Sequence, residues 1–281
     1  EPATQRASQM FDYTGKHVFV AGGTTGINFG IATGFAKAGA RVFVVSRKEE
    51  NVTRAVSDLK AHGNEADGTT ADVRDADAVG ATFETAAAKF GPVDILVSGA
   101  AGNFPAYANA ISSNGFKSVM DIDLLGTFHV MKAGFAHLVK PGGVAINISA
   151  PQAELPMEAQ VHVCAAKAGV DMVTRVLAME WGEHGIRVMS VIPGPIAGTE
   201  GMKRLAPTPE MMELCAKTVP LRRVGEVEDM ADACLALASD ACRYISGAVI
   251  PVDGGWSLGG ATVAMNTVVN TAVKMGFVKK E

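Results

Sequence analysis

Seven short apolar runs alternate along this chain with longer segments of helical period, and no other feature of the sequence restricts the fold as much. The runs are Lys16–Ala21, Arg41–Ser46, Glu65–Asp72, Val93–Ser98, Gly143–Ser149, Ile186–Ile192 and Ala248–Val252, the third being the weakest. Their apolar character is nearly continuous, as strands buried on both faces require. Helical segments are expected over Ile27–Ala38, Asn51–His62, Asp75–Phe90, Val161–Gly182 and Glu226–Ser239. Ser112–Lys140 reads as one long helix or as a broken pair. Strands joined by helical crossovers imply an α/β fold, a doubly wound seven-stranded parallel sheet of Rossmann type. No repeat or linker divides the chain, so a single domain over residues 1–281 is expected. Two segments fall outside the alternation. Residues 199–220 are rich in Pro and Met and are expected to form a substrate lid; residues 261–281 are expected to be a peripheral tail, with a helix at Thr267–Gly276.

Composition narrows the partners. Lys plus Arg number 25 and Asp plus Glu 29, giving a formal charge of −4, which does not suit nucleic acid as the main partner. The four cysteines, Cys164, Cys215, Cys234 and Cys242, form no C-x-x-C pair and no His cluster completes a zinc pattern, so no metal is expected. No run of 18 apolar residues is present, so no membrane-spanning helix is expected. Glu1–Ser8 lacks the apolar stretch of a signal peptide, and Val278–Glu281 matches no peroxisomal address, so a cytoplasmic location is expected.

The first strand-to-helix turn is glycine-rich: Ala21-Gly22-Gly23-Thr24-Thr25-Gly26-Ile27-Asn28. Glycines there turn the chain tightly and bring backbone N–H groups and a helix N-terminus to a pyrophosphate. Gly22, Thr24, Thr25, Gly26 and Ile27 are therefore candidate cofactor contacts. Ser46-Arg47-Lys48 ends the second run, where an acidic residue would read the ribose 2′-hydroxyl of NAD. A guanidinium at Arg47 suits a 2′-phosphate instead, so NADPH is the expected cofactor, with a merely solvated Arg47-Lys48 pair as the alternative. Asp72-Val73, after the third run, is placed to hold the adenine amino group.

At these residues the chain resembles the short-chain dehydrogenase/reductase family. That family has a G-x-x-x-G-x-G loop, an N-N-A-G turn after the fourth strand, a Ser and Y-x-x-x-K active site, and a P-G turn after the sixth strand. Ser149, Lys167 and Pro193-Gly194 match in order. Several positions depart from the pattern. Asn28 stands at the third loop glycine, the N-N-A-G turn reads Ser98-Gly99-Ala100-Ala101-Gly102, and Asp123 stands where the family has asparagine. Val163, four residues before Lys167, occupies the place of the catalytic tyrosine. His162 and Cys164 are each about 100° around the helix from that position.

Val163 has no proton to give to an alkoxide, and a positioned acid is worth on the order of 10²–10⁴-fold, so simple alcohol/ketone chemistry is disfavoured. A subgroup of the family also lacks this tyrosine, the 2,4-dienoyl-CoA reductases of peroxisomal type. The chain is similar to it through Ala100–Phe104, Met120–Asp123, Gln160–His162, Ala166–Asp171 and Pro193–Gly201. The mitochondrial type carries a tyrosine shortly after the fifth strand, where Gln152 stands here. The resemblance implies NADPH-dependent reduction of 2,4-dienoyl-CoA to 3-enoyl-CoA in unsaturated fatty-acid oxidation. It implies a homo-oligomer, a tetramer built through the two helices flanking the site. Lys167 is expected to bind the nicotinamide ribose, and Asp171 and Asp123 to orient a proton-donating water. Ser149 and Asn103 are expected to donate to the thioester oxygen. Ala100, Pro193, Gly194, Ile196 and Thr199 are expected to contact the cofactor; Phe104, His162, Met202, Met211 and Met212 to line the acyl path; and Lys203, Arg204, Arg222 and Arg223 to hold CoA phosphates. Structural alternatives stand beside these: a packing role for His162, a helix ion pair for Asp171 and Lys167, ordinary core for the methionines, and a solvated face for the basic residues. Another enone or carbonyl substrate, or a non-catalytic dinucleotide-binding protein, remains the alternative function.

Overall fold

The computed structural model describes residues 11–259, and the expected tail at 261–281 with its helix at 267–276 lies outside them. Seven strands form one parallel sheet in the order β3-β2-β1-β4-β5-β6-β7. They are β1 His17–Ala21, β2 Arg41–Ser46, β3 Ala66–Thr70, β4 Ile95–Ser98, β5 Val144–Ile148, β6 Arg187–Pro193 and β7 Val249–Val252. Strands β1, β4 and β5 are buried along their whole length, which accounts for their unbroken apolar sequence. The edge strands β3 and β7 are half-buried. Every expected strand forms: β2 has the expected bounds, β6 is displaced by one residue to include Pro193, and the others lose one to three residues at their ends.

Each face of the sheet carries its own core. On one face Ile31 and Phe35 of α1 (Gly26–Lys37), Ala55 and Leu59 of α2 (Glu49–Lys60), and Met230 and Leu235 of α9 (Val227–Ala238) pack on Val18, Val42 and Ile146. On the other, α3 (Ala76–Phe90), α5 (Gly126–His137) and α6 (Val161–Trp181) supply Phe83, Met131 and Leu177. Phe19 of β1 stacks on Phe83 with ring centres 4.0 Å apart. Helix starts follow local chemistry. Asp75 accepts from the N–H groups of Asp77 and Ala78 at the start of α3. Ser112 accepts from Gly115 N–H at the start of α4, Ser113–Val119.

Two regions needed the structure to resolve. Ser112–Lys140 is neither a smooth helix nor a separated pair: α4 runs into α5 through a π-helical turn at Met120–Leu125. One residue too many in that turn rotates Asp123 inward, and π-turns recur at functional sites for such reasons. Residues 199–220, which show no clear period, hold two short helices, α7 Glu200–Leu205 and α8 Pro209–Thr218. Thr199 and Thr208 cap them, each hydroxyl accepting from a backbone N–H. Helices of 6 and 10 residues are too short to register as a period beside their caps and prolines.

The chain crosses from β3 at one edge to β4 on the far side of β1. The carboxyl ends of β1 and β4 therefore diverge at a topological switch point, where an open α/β sheet presents its ligand crevice.

Candidate active site

The crevice is lined by the glycine-rich loop, the end of β2, the turn after β3 and the turn after β4. Gly22, Thr24, Thr25, Arg47, Asp72, Val73 and Ala100 are brought together in it, with Ser46, Lys48, Asn51 and Ile122. Gly22 has φ +75°, and a Cβ there would lie 2.9 Å from the backbone N of Ala100, so only glycine fits. Gly26 has φ +57° and opens α1, with Thr25 as its N-cap residue; Ile27 follows in the first turn. This glycine-rich turn at a helix start fits a dinucleotide pyrophosphate. Arg47 and Lys48 are exposed at its ribose end. Asp72 accepts from Arg74 Nε at 2.9 Å and Nη2 at 2.6 Å. Those bonds hold its carboxyl down to about 2, and both of its oxygens are occupied by the guanidinium.

Beyond the crevice, Lys167 and Asp123 meet near the carboxyl end of β5, and Ser149 follows that strand. Lys167 on α6 is 5% exposed and donates from Nζ to Ile148 O at 3.0 Å. Asp123, 1% exposed, places Oδ2 3.6 Å from that ammonium, while its Oδ1 accepts from Gly102 N–H at 2.7 Å. Burial pushes the Asp123 carboxyl above its ordinary range, and Lys167 opposes the shift. Ser149, the residue after Ile148, is buried and its hydroxyl has no hydrogen-bond partner. A buried hydroxyl with nothing to bond is costly, and a polar partner arriving at Ser149 would remove that cost. Val163 is 3% exposed and packs on Val119 and Ala166, so the tyrosine position is filled by an inert side chain.

Among the described residues no tyrosine packs with Val163. Tyr13 donates to Leu235 O in the core, Tyr244 is fully exposed, and Tyr107 is 62% exposed on the loop after β4.

Other expected site residues are placed differently from the Lys167 cluster. Asp171 is buried and accepts from Ser190 of β6 at 2.9 Å, so its carboxylate is turned into the sheet. Asn103 is exposed and donates to Gln160 Oε1 at 3.3 Å. His162 is fully buried, with Nε2 2.9 Å from Phe104 O and its ring 4.7 Å from the Phe104 ring. It fastens the loop after β4 to the start of α6. Gly194 is required by the chain itself, since a Cβ there would lie 2.6 Å from Asp253 Cα. Pro193 closes β6, Ile196 is buried in the core, and Thr199 donates to Ile196 O at 2.8 Å while capping α7. Arg222 donates to Lys217 O at 2.6 Å, Arg223 pairs with Asp229 at 2.6 and 2.8 Å, and Lys203 pairs with Glu200 at 3.1 Å. The Arg204 side chain lies outside the described residues. Met202 is buried and Met211 exposed, with Met202 and Met212 lining a groove between α7 and α8.

Sequence reasoning missed Arg74 and Ser190, and gave Gln160 no role of its own. Arg74 was accessible in principle, two residues from Asp72 on a turn; Gln160 and Ser190 are partners made only by the tertiary fold.

The same fold and site elements occur in known proteins. The family described as enoyl-(acyl carrier protein) reductase matches residues 21–257. A solved short chain dehydrogenase from Bacillus anthracis superposes with a TM-score of 0.79 at 36% identity, covering 90% of this chain and 98% of that one. The chain belongs to the short-chain dehydrogenase/reductase family and is an oxidoreductase whose fold carries a nicotinamide dinucleotide. Within that family it is similar to the peroxisomal 2,4-dienoyl-CoA reductase [(3E)-enoyl-CoA-producing] of Arabidopsis thaliana, 42% identical over 251 residues, 86% of this chain and 84% of the relative. The enzyme of the same name from Rattus norvegicus is 42% identical over 242 residues, 85% of this chain and 83% of the relative. The expectation of a cytoplasmic protein is thereby overturned. It rested on a few residues at the two ends, whereas these relatives, alike over most of their length, are named as peroxisomal enzymes. Among the described residues no helix is long and apolar enough to cross a membrane.

Proposed function

We propose that this chain reduces 2,4-dienoyl-CoA thioesters to 3-enoyl-CoA with NADPH. The observation that carries the reading is Val163 buried in the phenol position, four residues before a buried Lys167 that lies beside Asp123 and is bonded to the strand end before Ser149. A reduced nicotinamide, when bound, supplies the hydride for the δ carbon of the dienoyl chain. The chain's own task is then to stabilise negative charge spread onto the thioester oxygen and to admit a proton at the α carbon. Ser149, with its unpartnered hydroxyl, is the donor to that oxygen, and one such donor is worth about 3–4 kcal/mol. Lys167 sets a positive potential over the site and holds ribose hydroxyls through its remaining N–H donors. Asp123, lying beside Lys167, orients the water that delivers the proton. Asp171 acts one step back, fixing α6 to β6 through Ser190.

Arg47, exposed at the ribose end of the crevice, supports the choice of NADPH over NADH. Asp72 is neutralised by Arg74 and presents little repulsion to a 2′-phosphate. The acyl chain enters past Phe104, 37% exposed, and under the α7–α8 segment, which serves as the lid. Arg222, exposed at the end of that segment, is the group offered to the CoA phosphates. Leu125, Phe128, Met172, Val176 and Met179 leave an exposed apolar face on the π-turn, α5 and α6, which fits a homotetramer. Light scattering of the purified chain tests the oligomer, and a monomer would refute it. The activity is tested by following nicotinamide absorbance with a 2,4-dienoyl-CoA, with simple ketones, and with each of NADPH and NADH. Oxidation of NADPH by the dienoyl-CoA alone is expected. Turnover of ketones alone, or binding of NADPH without turnover, would overturn the reading.

A further inference from the structure

The family pattern places glycine at the third position of the phosphate loop and asparagine in the turn after β4. This chain has Asn28 in the loop and no asparagine between Ser98 and Gly102. The two departures are in contact. Asn28 Nδ2 donates to Gly99 O at 2.7 Å. A Cβ placed on Gly99 would have Asn28 Oδ1, Cγ and Nδ2 as its three nearest atoms, at 2.3, 2.5 and 2.5 Å. Gly99 does not adopt a positive φ, so its backbone would accept any residue. The Asn28 amide is therefore the nearest obstacle to a side chain there.

We infer that Asn28 and Gly99 are a matched exchange, and that Asn28 is a positioning residue which sets the width of the cofactor crevice. Its amide is a wedge between the phosphate loop and the β4 turn. Gly99 N–H donates to Ala21 O at 3.1 Å, so the Gly99 peptide is pinned to β1 on one side and to α1 on the other. Gly22 closes the same knot: a Cβ there would meet Ala100 N at 2.9 Å and Asn28 Nδ2 at 3.2 Å. The buried Oδ1 of Asn28 has no partner, so the amide is held by the one bond that Nδ2 donates. The effect extends past the crevice. Three residues beyond Gly99, Gly102 N–H donates to Asp123, which lies beside Lys167. One amide thus ties the pyrophosphate cradle to the turn that holds the buried carboxylate, and pre-organises both walls before the dinucleotide arrives.

The test is a mutant cycle on the full chain, read by dinucleotide affinity from nicotinamide fluorescence and by melting temperature without cofactor. It uses whichever of NADPH and NADH the unaltered protein binds more tightly, so its outcome is independent of that choice and of the acyl substrate. Asn28→Gly is expected to weaken binding roughly tenfold, the scale of one buried hydrogen bond and the order it imposes. Gly99→Ala is expected to weaken binding at least as much and to lower the melting temperature. The Asn28→Gly/Gly99→Ala pair is expected to be no worse than Asn28→Gly alone, because the methyl group then has room. Asn28→Gly/Gly99→Asn is expected to recover affinity to within about threefold of the unaltered protein. Should Gly99→Ala fail to fold, rescue of folding by Asn28→Gly supports the exchange and absence of rescue refutes it. Additive penalties in the pair, a harmless Gly99→Ala, or unchanged affinity in Asn28→Gly would each overturn it.

Discussion

Lys167→Met removes the ammonium and keeps most of the stem, which isolates the charge at the centre of the site. Asp123 is then left 1% exposed with Gly102 N–H as a donor and no neighbouring cation at 3.6 Å. A buried carboxylate without its partner costs about 3–5 kcal/mol if it stays ionised. Protonation removes most of that cost. Burial already raises the Asp123 carboxyl above 3.8 against the opposing pull of Lys167, and losing Lys167 raises it further. A folded value above the unfolded one means that stability is intact below 3.8 and declines as pH rises through the folded value. The melting-temperature deficit of Lys167→Met should therefore be smallest at the acid end of the folded range and grow as pH rises, reaching about 10 °C once Asp123 is ionised. Melts without cofactor at fixed ionic strength measure it, and Lys167→Met/Asp123→Asn serves as the uncharged control with a pH-independent deficit. Turnover of the single variant should fall by on the order of 10²-fold or more. A deficit of the same size across the whole pH range would show that the two charges are not coupled, and would refute the assignment of Asp123 as an ionised partner of Lys167.

Arg47→Ala should weaken NADPH binding about 10–100-fold and leave NADH binding nearly unchanged, as measured by fluorescence titration with both cofactors. His17 is fully buried, and burial depresses its imidazole below 6.5. Its stability contribution is present above 6.5 and is lost as pH falls toward the folded value, so His17→Gln should flatten the acid side of the melting profile. Asp75→Ala removes two capping bonds from α3 and should cost about 1 kcal/mol in denaturant unfolding.

The sheet was legible because its strands are buried on both faces. Runs such as Arg41–Ser46 and His17–Ala21 have one structural use, and both form as strands. The phosphate cradle was legible for a related reason, since Gly22 and Gly26 hold backbone angles that other residues resist. The active-site helix could be placed from Val163 and Lys167, whose four-residue spacing puts both on its buried face. The π-turn at Met120–Leu125 was not legible, because one extra residue in a helix leaves no compositional mark. Asp171 was expected beside Lys167 from helical spacing alone. Spacing fixes the face of a helix but not the partner opposite it, and here that partner is Ser190. Thr199, Ile196 and Arg222 show the same limit: their bonds and packing depend on how β6, α7 and α8 fold back on one another.

The account stands on a valine in place of a phenol, and so on charge passing to a thioester oxygen with water as the proton source. Deuterium tracing reads that route directly. With unlabelled NADPH and a 2,4-dienoyl-CoA in heavy water, the product should be a 3-enoyl-CoA carrying one solvent deuterium at the α carbon and none at the δ carbon. Deuterium at the γ carbon of a 2-enoyl product, or brisk oxidation of plain secondary alcohols by the same enzyme, would contradict it.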